Sequence, residues 1–358
     1  MRLHFVITDL QIGGTPRVVR DLAIRLRPFG FQTTVTCLAP WGPVADELTS
    51  AGVPVHAVGV TRPTQLPTAV RAVRRLTEEA DVVFSFLVHA NSVAALALRG
   101  RRTPLLQAIQ TTQPYPAWHW WAQGLAAARA TRVVVPSASV ARVAENGSGV
   151  SPERIVVIPN AVDVPAAQHE THRAGRWRVG FVGRLDPIKR VPDLIEAMAL
   201  LPDAELHVYG DGPERSAIEA TVDRFALQDR VTLHGTVASS ADALMDIDTL
   251  VLPSDAEGFG LVLIEAMAAG VPVIGTDVAG IRDVISPERN GLRVPPRTPS
   301  AIAAAVNRLR HDAALHLRLT AAGRMDVRER YAWESILPRY AALIRSAVAD
   351  SRSEQNAD

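Results

Sequence analysis

Glu257 and Glu265 stand eight positions apart in "SDAEGFGLVLIEAMAAGVPVIGTD" (254–277), with Gly258, Phe259 and Gly260 directly after the first. A β-branched run ends at Ser254, and an apolar helical pattern opens near Leu261 and closes at Gly270. The first amides of a helix have no intrahelical acceptor and lie at the positive end of its macrodipole. Backbone at Gly260, Leu261 and Val262 is therefore suited to a phosphate. Leu261 and Glu265 share a helical face, and helical side chains lean toward the N-terminus, so Glu265 can reach back to a group beside that phosphate. Glu257, outside the helix, can reach the group on its other side. A ligand with hydroxylated rings flanking a diphosphate fits, namely a nucleotide sugar whose ribose and sugar hydroxyls donate to the two carboxylates. A plain turn followed by an ordinary exposed helix glutamate leaves the same pattern, so both readings stay open here.

Two further loops follow apolar runs. In "RVGFVGRLDPIKRVPDLIEAM" (178–198), Gly183 clears space, and Arg184 and Lys189 follow five residues apart. An arginine and a lysine converging on one point would hold a diphosphate and offset charge on a departing phosphate. A solvated basic turn is the plain alternative. Against it, the chain has 38 lysines and arginines, and Lys189 is the single lysine among them. In "TDLQIGGTPRVVRDLAIRL" (8–26), Gly13 and Gly14 precede a helix whose apolar positions fall on one face. Paired glycines there let a phosphate approach bare amides, or simply form a turn.

The elements that position these loops are runs of continuous apolar residues alternating with helical periods. Six such runs lie between "LHFVIT" (3–8) and "IVVIP" (155–159), and five between "RVGFVG" (178–183) and "VPVIGT" (271–276). This predicts parallel sheets covered on both faces, too many strands for one sheet, hence two doubly wound Rossmann-like domains facing a cleft. The polar, aperiodic stretch 160–177 is the expected linker. The expected divisions are 1–165, 166–330, a last helix 331–348, and a disordered tail 349–358. The chain has 47% hydrophobic and 21% charged residues and a formal net charge of +1, which argues for a folded protein and against nucleic acid as partner. With Cys37 as the one cysteine, no disulfide framework is possible and a reducing compartment is expected. The opening "MRLHFVITDL" is interrupted by Asp9 and does not read as a signal peptide.

Taken together, Gly13-Gly14, "VPSASVARVAENGSGVSPERIVVIPNAVD", "FVGRLDPIKRVPDLIEA", "YGDGPER" and "EGFGLVLIEAMAAGVPVIGTDVAGIRDVI" resemble the family 4 retaining glycosyltransferases of the two-domain GT-B fold. The resemblance runs from residue 3 to about 345. It implies that Arg184 and Lys189 bind the donor diphosphate, that Glu257 meets the donor sugar and Glu265 the ribose, and that the final helix crosses back to the N-terminal domain. It further implies front-face attack with retention, the leaving phosphate helping to deprotonate the acceptor. The chain departs from the family at Pro16, where Glu is frequent, and at Ala161, where Gly is usual. Many members carry a histidine after the fourth or fifth strand. Here Gln110 stands near the later position and His89 and Asn91 near the earlier, and these three are the acceptor-side candidates.

The expected activity is metal-independent transfer of a hexosyl or N-acetylhexosaminyl group from a nucleotide diphosphate sugar, UDP before GDP, to a hydroxyl acceptor. Glycan, lipid-linked and small-molecule acceptors all fit. No cofactor is expected, and the protein is expected to be cytoplasmic, as a monomer or homodimer, with a peripheral place at the inner membrane face among the options. A nucleotide-sugar epimerase or hydrolase and a non-enzymatic nucleotide-sugar binder are the rivals. Asp246-x-Asp248 has a spacing that binds metal in another transferase fold, but it lies before a strand rather than after one, so it reads as a turn cap. The aromatic stretch 114–124 reads as core or as a stacking surface. Over residues 1–170 there are 16 arginines against 11 acidic residues, a mild excess that would suit an acceptor on a lipid carrier.

Overall fold

The computed structural model describes residues 1–112, 116, 118–165, 175–237 and 239–357, with backbone alone for 354–357. Residues 113–115 and 117 of the aromatic stretch and 166–174 of the expected linker lie outside them. The chain divides into two compact units, Met1–Asn160 with Glu334–Asp358, and Ala161–Trp333.

In the first unit, β1 (Arg2–Ile7), α1 (Gly14–Arg25), β2 (Gln32–Cys37), α2 (Pro43–Ser50), β3 (Val55–Ala57), α3 (Leu66–Leu76) and β4 (Val82–Phe86) follow in order. Then come α4 (Val88–Ala97), β5 (Leu105–Ala108), α5 (Trp118–Ala127), β6 (Arg132–Val135), α6 (Ala138–Ser148) and β7 (Ile155–Val157). The second unit holds β8 (Trp177–Val182), α7 (Val191–Ala199), β9 (Ala204–Tyr209), α8 (Arg215–Arg224), β10 (Val231–Gly235), α9 (Ser240–Met245) and β11 (Thr249–Leu252). It continues with α10 (Leu261–Ala269), β12 (Val273–Thr276), α11 (Ala279–Val284), β13 (Leu292–Val294), α12 (Pro299–His311) and α13 (Ala313–Asp326). The last helix, α14 (Trp333–Ala357), belongs to the first unit from Glu334 onward.

The described strands form two parallel sheets. The first runs β3-β2-β1-β4-β5-β6-β7 and the second β10-β9-β8-β11-β12-β13. Each is doubly wound, reversing direction between β1 and β4 and between β8 and β11. In such sheets a ligand binds beyond the carboxyl ends of the strands at the reversal. Their central strands are buried on both faces: all five residues of β4 and all four of β11 are buried. This explains why the sequence shows continuous apolar runs rather than alternation. The two strands not foreseen, β3 and β13, are three-residue edge strands. So short a run carries little period.

The tail 349–358 was expected to be disordered, but α14 continues as helix through Ala357. Its register on the first unit is set by Arg339 donating to the Val157 carbonyl at 2.7 Å, Arg345 to that of Phe29 at 2.8 Å, and Ser351 to that of Arg102 at 2.8 Å. From composition alone, a short polar terminal stretch reads the same whether it is helical or disordered.

Among the buried polar groups of β1, His4 lies against Thr36, Nε2 to Oγ1 at 2.7 Å. Burial, with the nearby His56 adding to it, pushes the imidazole down from 6.5 to about 4. The unfolded chain takes the proton near pH 6.5 and the folded one only near 4. This contribution to stability is therefore complete above pH 6.5 and lost as pH falls toward 4, on the order of 3 kcal/mol in all. The expected result is that acid-side loss of melting temperature between pH 6.5 and 4.5 is shallower in His4→Gln than in wild type. Superimposable profiles would show that other groups cause the acid sensitivity.

Candidate functional site

At the reversal of the second sheet, the loop after β8 meets the loop after β11. The first of these loops turns through a short 3-10 segment, Pro187–Lys189, which sets the Lys189 side chain. Its ammonium contacts Glu257 Oε1. The same oxygen accepts a hydrogen bond from Ser254 Oγ at 2.9 Å. The two ends of the ion pair are mostly enclosed, at 22% exposure for the Lys189 side chain and 11% for that of Glu257. Direct backbone bonding ties the loops together, with Asp255 N donating to the Ile188 carbonyl at 2.8 Å. Arg297 pairs with the Asp255 carboxylate at 2.9 Å.

Arg184 does not converge on this pair. Its Nε donates to Asp186 Oδ1 at 3.1 Å and its side chain is 69% exposed. Its guanidinium remains at the solvent edge, able to change rotamer at small cost.

The Gly-Phe-Gly turn divides its labour. Gly260 is the N-cap of α10 with φ +74°, a left-handed conformation that side-chain-bearing residues adopt at a cost, and no side chain caps this helix. The first-turn amides at Leu261 and Val262 thus have no side-chain cap, and both residues are half-buried. Phe259 corrects the sequence reading. Its ring is buried at 4% exposure and meets Tyr331 edge-on, with centroids 5.7 Å apart. It anchors the turn in the core and leaves only backbone for a ligand. Helix α10 is apolar nearly all round and correspondingly buried, yet Glu265 in its second turn stays half-buried.

Two positioning residues escaped sequence reasoning. Ser254, at the end of the β11 run, orients Glu257 as described. Gly280 in α11 donates its amide to the Glu257 carbonyl at 3.2 Å, and a Cβ there would sit 2.3 Å from that oxygen. Only glycine lets α11 approach so closely. The signal available was the Ala279-Gly280 pair following a strand, like Gly13-Gly14.

At the reversal of the first sheet, Gly13 is the N-cap of α1, again without a side-chain cap, and Gly14 is its first residue. Pro16 stands in the first turn, where its missing amide breaks no helical bond. His89 is exposed, second in α4, with its ring edge-on to those of His119 at 5.1 Å and Trp118 at 6.4 Å. Leu87, just before α4, has φ +73° and ψ +149°, a region nearly restricted to glycine. Such strain persists where surrounding structure imposes it, and it marks sites worth attention.

Asn91 is corrected. It is fully buried, accepting from Ser85 Oγ at 2.7 Å and donating to the Ala108 carbonyl at 3.0 Å and to Gln123 Oε1 at 2.8 Å. Gln123 in turn donates to Gln107 at 3.1 Å. This network stitches α4 and α5 to the sheet, so Asn91 is a structural residue. Gln110 accepts from Asn160 Nδ2 at 3.1 Å, and its own amide nitrogen is buried without a partner among the described residues. Of the tryptophans, Trp120 packs on the core beside Gly147, whereas Trp118 and Trp121 are 55% and 70% exposed. Asp246 is the C-cap residue of α9, but its side chain and that of Asp248 do not cap the local turn: they reach across to the neighbouring strands. Asp246 pairs with Arg178 at 2.8 Å and accepts from the Tyr209 hydroxyl, while Asp248 accepts from the Arg178 amide at 2.9 Å. No described helix is long and apolar enough to cross a membrane.

Comparison with known proteins bears directly on these loops. A family model for glycosyltransferase family 4 matches residues 12–165, and one for group 1 glycosyl transferases matches 176–312. Among relatives, the N-acetyl-alpha-D-glucosaminyl L-malate synthase of Bacillus anthracis is 35% identical over 169 residues, 46% of this chain and 44% of that protein. The D-inositol 3-phosphate glycosyltransferase of Kineococcus radiotolerans is 32% identical over 245 residues, 59% and 56% of the two. The chain thus spans about half the length of the curated relatives it matches. In fold it is similar to Anabaena HepE in complex with UDP-glucose, with a TM-score of 0.86, 22% identity, and coverage of 99% of this chain and 100% of that one. It is also similar to sucrose-phosphate synthase from Thermosynechococcus elongatus, with a TM-score of 0.84, 23% identity, and coverage of 98% and 100%. With the two models covering the strand-loop-helix units that carry Gly13-Gly14, Arg184, Lys189, Glu257 and Glu265, the chain belongs to the group 1, family 4 glycosyltransferases, with a GT-B-like fold.

Proposed function

We propose that this protein is a retaining glycosyltransferase that moves a hexosyl or N-acetylhexosaminyl group from a UDP-sugar to a hydroxyl acceptor. The observation that carries this is the enclosed Lys189–Glu257 pair beside the uncapped N-terminus of α10, at the reversal of the second sheet. The amides of residues 260–262 and the Lys189 ammonium hold the diphosphate, and Arg184 swings in from the solvent edge to complete the clamp. Glu257 accepts from sugar hydroxyls and Glu265 from the ribose. The bond from the anomeric carbon to the β-phosphate oxygen breaks as the acceptor oxygen bonds on the same face. The acceptor's proton passes to the departing phosphate, whose growing charge Lys189 offsets. Gly13-Gly14 is assigned to phosphate binding and His89 to the acceptor side. Preference for UDP draws support from the UDP-glucose bound to HepE, and the transferred group from the N-acetylglucosaminyl named in the B. anthracis relative.

The activity takes place in the cytoplasm and needs no metal, because cationic side chains and amides supply the positive charge. The test is to screen UDP- and GDP-sugars by thermal shift, since a bound donor stabilises the fold, and then to assay transfer by mass spectrometry with exhaustive EDTA. Transfer of sugar to an added hydroxyl acceptor, undiminished by EDTA, is the expected outcome. Donor conversion that needs no acceptor would instead identify an epimerase or hydrolase. Loss of activity in EDTA with recovery on Mn²⁺ would overturn metal independence.

A further inference from the structure

At the amino ends of β5, β6 and β7, the opposite end of the first sheet from Gly13 and His89, lies a cleft of about 470 Å³. Arg101, Arg102, Arg129, Arg132 and Arg154 line it, and among the lining residues Asp350 of α14 is the one carboxylate. Cavities of this size accommodate small-molecule ligands.

At several other places this chain sets an arginine against a carboxylate at hydrogen-bond range. Arg297 meets Asp255, Arg308 meets Glu288 and Arg282 meets Asp277, each at 2.9 Å. For three guanidiniums of the cleft the partners are different. Arg101 donates to the carbonyls of Arg74 at 2.9 Å and Glu78 at 3.0 Å. Arg129 donates to those of Arg101 at 2.7 Å and Thr103 at 2.9 Å, and Arg154 to that of Ala128 at 3.2 Å. A carbonyl orients a guanidinium without neutralising it, because it carries no net charge. Each guanidinium also has five N–H donors, more than these carbonyls take up. The Arg129 guanidinium is half-buried, and desolvation lowers its proton affinity. Asp350 stands 3.6 Å from Arg132, beyond hydrogen-bond range, and its side chain is 52% exposed. Three of the lining guanidiniums, those of Arg101, Arg129 and Arg154, are thus preorganised by backbone carbonyls and keep their positive charge within the cleft.

We propose that this cleft is a binding site for a polyphosphorylated anion, separate from the donor site, in which the ligand displaces Asp350 from Arg132. Several guanidiniums around one cavity match the multiple, close-set negative charges of linked phosphates, and planar forks bind phosphate oxygens in pairs. Asp350 acts as a weak internal competitor, so the last turns of α14 respond to occupancy. The ligand's chemistry is shared by free polyphosphates and by clustered phosphate headgroups of a lipid surface.

The test is isothermal titration of the full chain with inorganic tripolyphosphate at low ionic strength, in wild type and in Lys189→Ala, which separates any binding at the donor loops. One site that survives Lys189→Ala is expected. It is weakened at least about tenfold by Arg132→Ser with Arg154→Ser, on the scale of lost charge-assisted bonds, and tightened several-fold by Asp350→Asn. The last variant removes only a half-exposed carboxylate, so it remains informative even if the double variant folds poorly. No binding in Lys189→Ala, or an affinity unchanged by Asp350→Asn, overturns the proposal. Co-sedimentation with phosphatidylcholine vesicles, with and without phosphatidylglycerol, distinguishes the source. Capture that needs phosphatidylglycerol and is lost in Arg132→Ser with Arg154→Ser assigns a lipid surface. Tripolyphosphate binding without capture assigns a free polyphosphate.

Discussion

Lys189→Ala lowers turnover at saturating donor by on the order of a hundredfold, equivalent to about 3 kcal/mol of barrier, the scale of one lost oxyanion donor. The reason lies in when the contact matters. In the proposed reaction, charge builds on the β-phosphate as the sugar bond breaks, so an ammonium beside it binds the transition state more strongly than the ground state. The structure adds that this ammonium is held by Glu257 in a largely enclosed pair. Lys189→Arg keeps the charge, but its flat, larger guanidinium must fit where a compact ammonium touches one carboxylate oxygen that Ser254 also engages. Turnover in Lys189→Arg is therefore clearly impaired, with donor affinity less affected. Because the two side chains are in contact, their effects are coupled: Glu257→Gln costs less in a Lys189→Ala background than alone. The contrary outcome is informative, since arginine fills every other basic position of this chain apart from histidine. Near-wild-type turnover in Lys189→Arg would remove Lys189 from the mechanism.

What the sequence revealed, and what it hid, follows from range. The doubly wound class was readable because each central strand is a continuous apolar run, a consequence of helices covering both faces. Helix α10 was readable for a local reason as well: glycines with positive φ stand at both ends, Gly260 and Gly270. Residues whose roles depend on distant partners were not readable. Asn91 sits near a strand end in a way that suits a ligand-facing residue, but its partners Ala108 and Gln123 are 17 and 32 positions away. Phe259 lies between two glycines of a binding turn, and only packing on Tyr331 reveals that its ring points inward. Ser254 and Gly280 support Glu257 through contacts no spacing rule encodes. The pairing of Lys189 with Glu257 spans 68 residues and was hidden for the same reason, although each residue had been singled out for the chemistry of its own loop.

Under the proposed assignment, in which the two carboxylates address different ends of the donor, Glu257→Gln and Glu265→Gln separate turnover from nucleotide affinity. Glu257 is fixed from three sides, by Lys189 and Ser254 at its carboxylate and by Gly280 at its carbonyl. Such fixing suits a group that orients a reacting sugar, where small displacements cost rate rather than binding. Glutamine preserves the shape and one acceptor but loses the charge that sets Lys189 beside the phosphate. The expected result is a fall in turnover of roughly a hundredfold, with UDP affinity changed by no more than about threefold. Glu265 stands in the second turn of α10, leaning back toward the helix N-terminus where the phosphate is expected. In the proposed site its loss removes hydrogen bonds from ribose hydroxyls to a charged acceptor, about 1.5–3 kcal/mol. UDP binding by Glu265→Gln, measured calorimetrically, is therefore weakened at least about tenfold, while turnover at saturating donor falls less than in Glu257→Gln. Melting temperatures of the two variants serve as the control, since Glu257→Gln leaves the Lys189 ammonium partly enclosed without its counter-charge. Should UDP affinity drop in Glu257→Gln and hold in Glu265→Gln, the donor lies the other way round, with its ribose at the loop and its sugar over the helix.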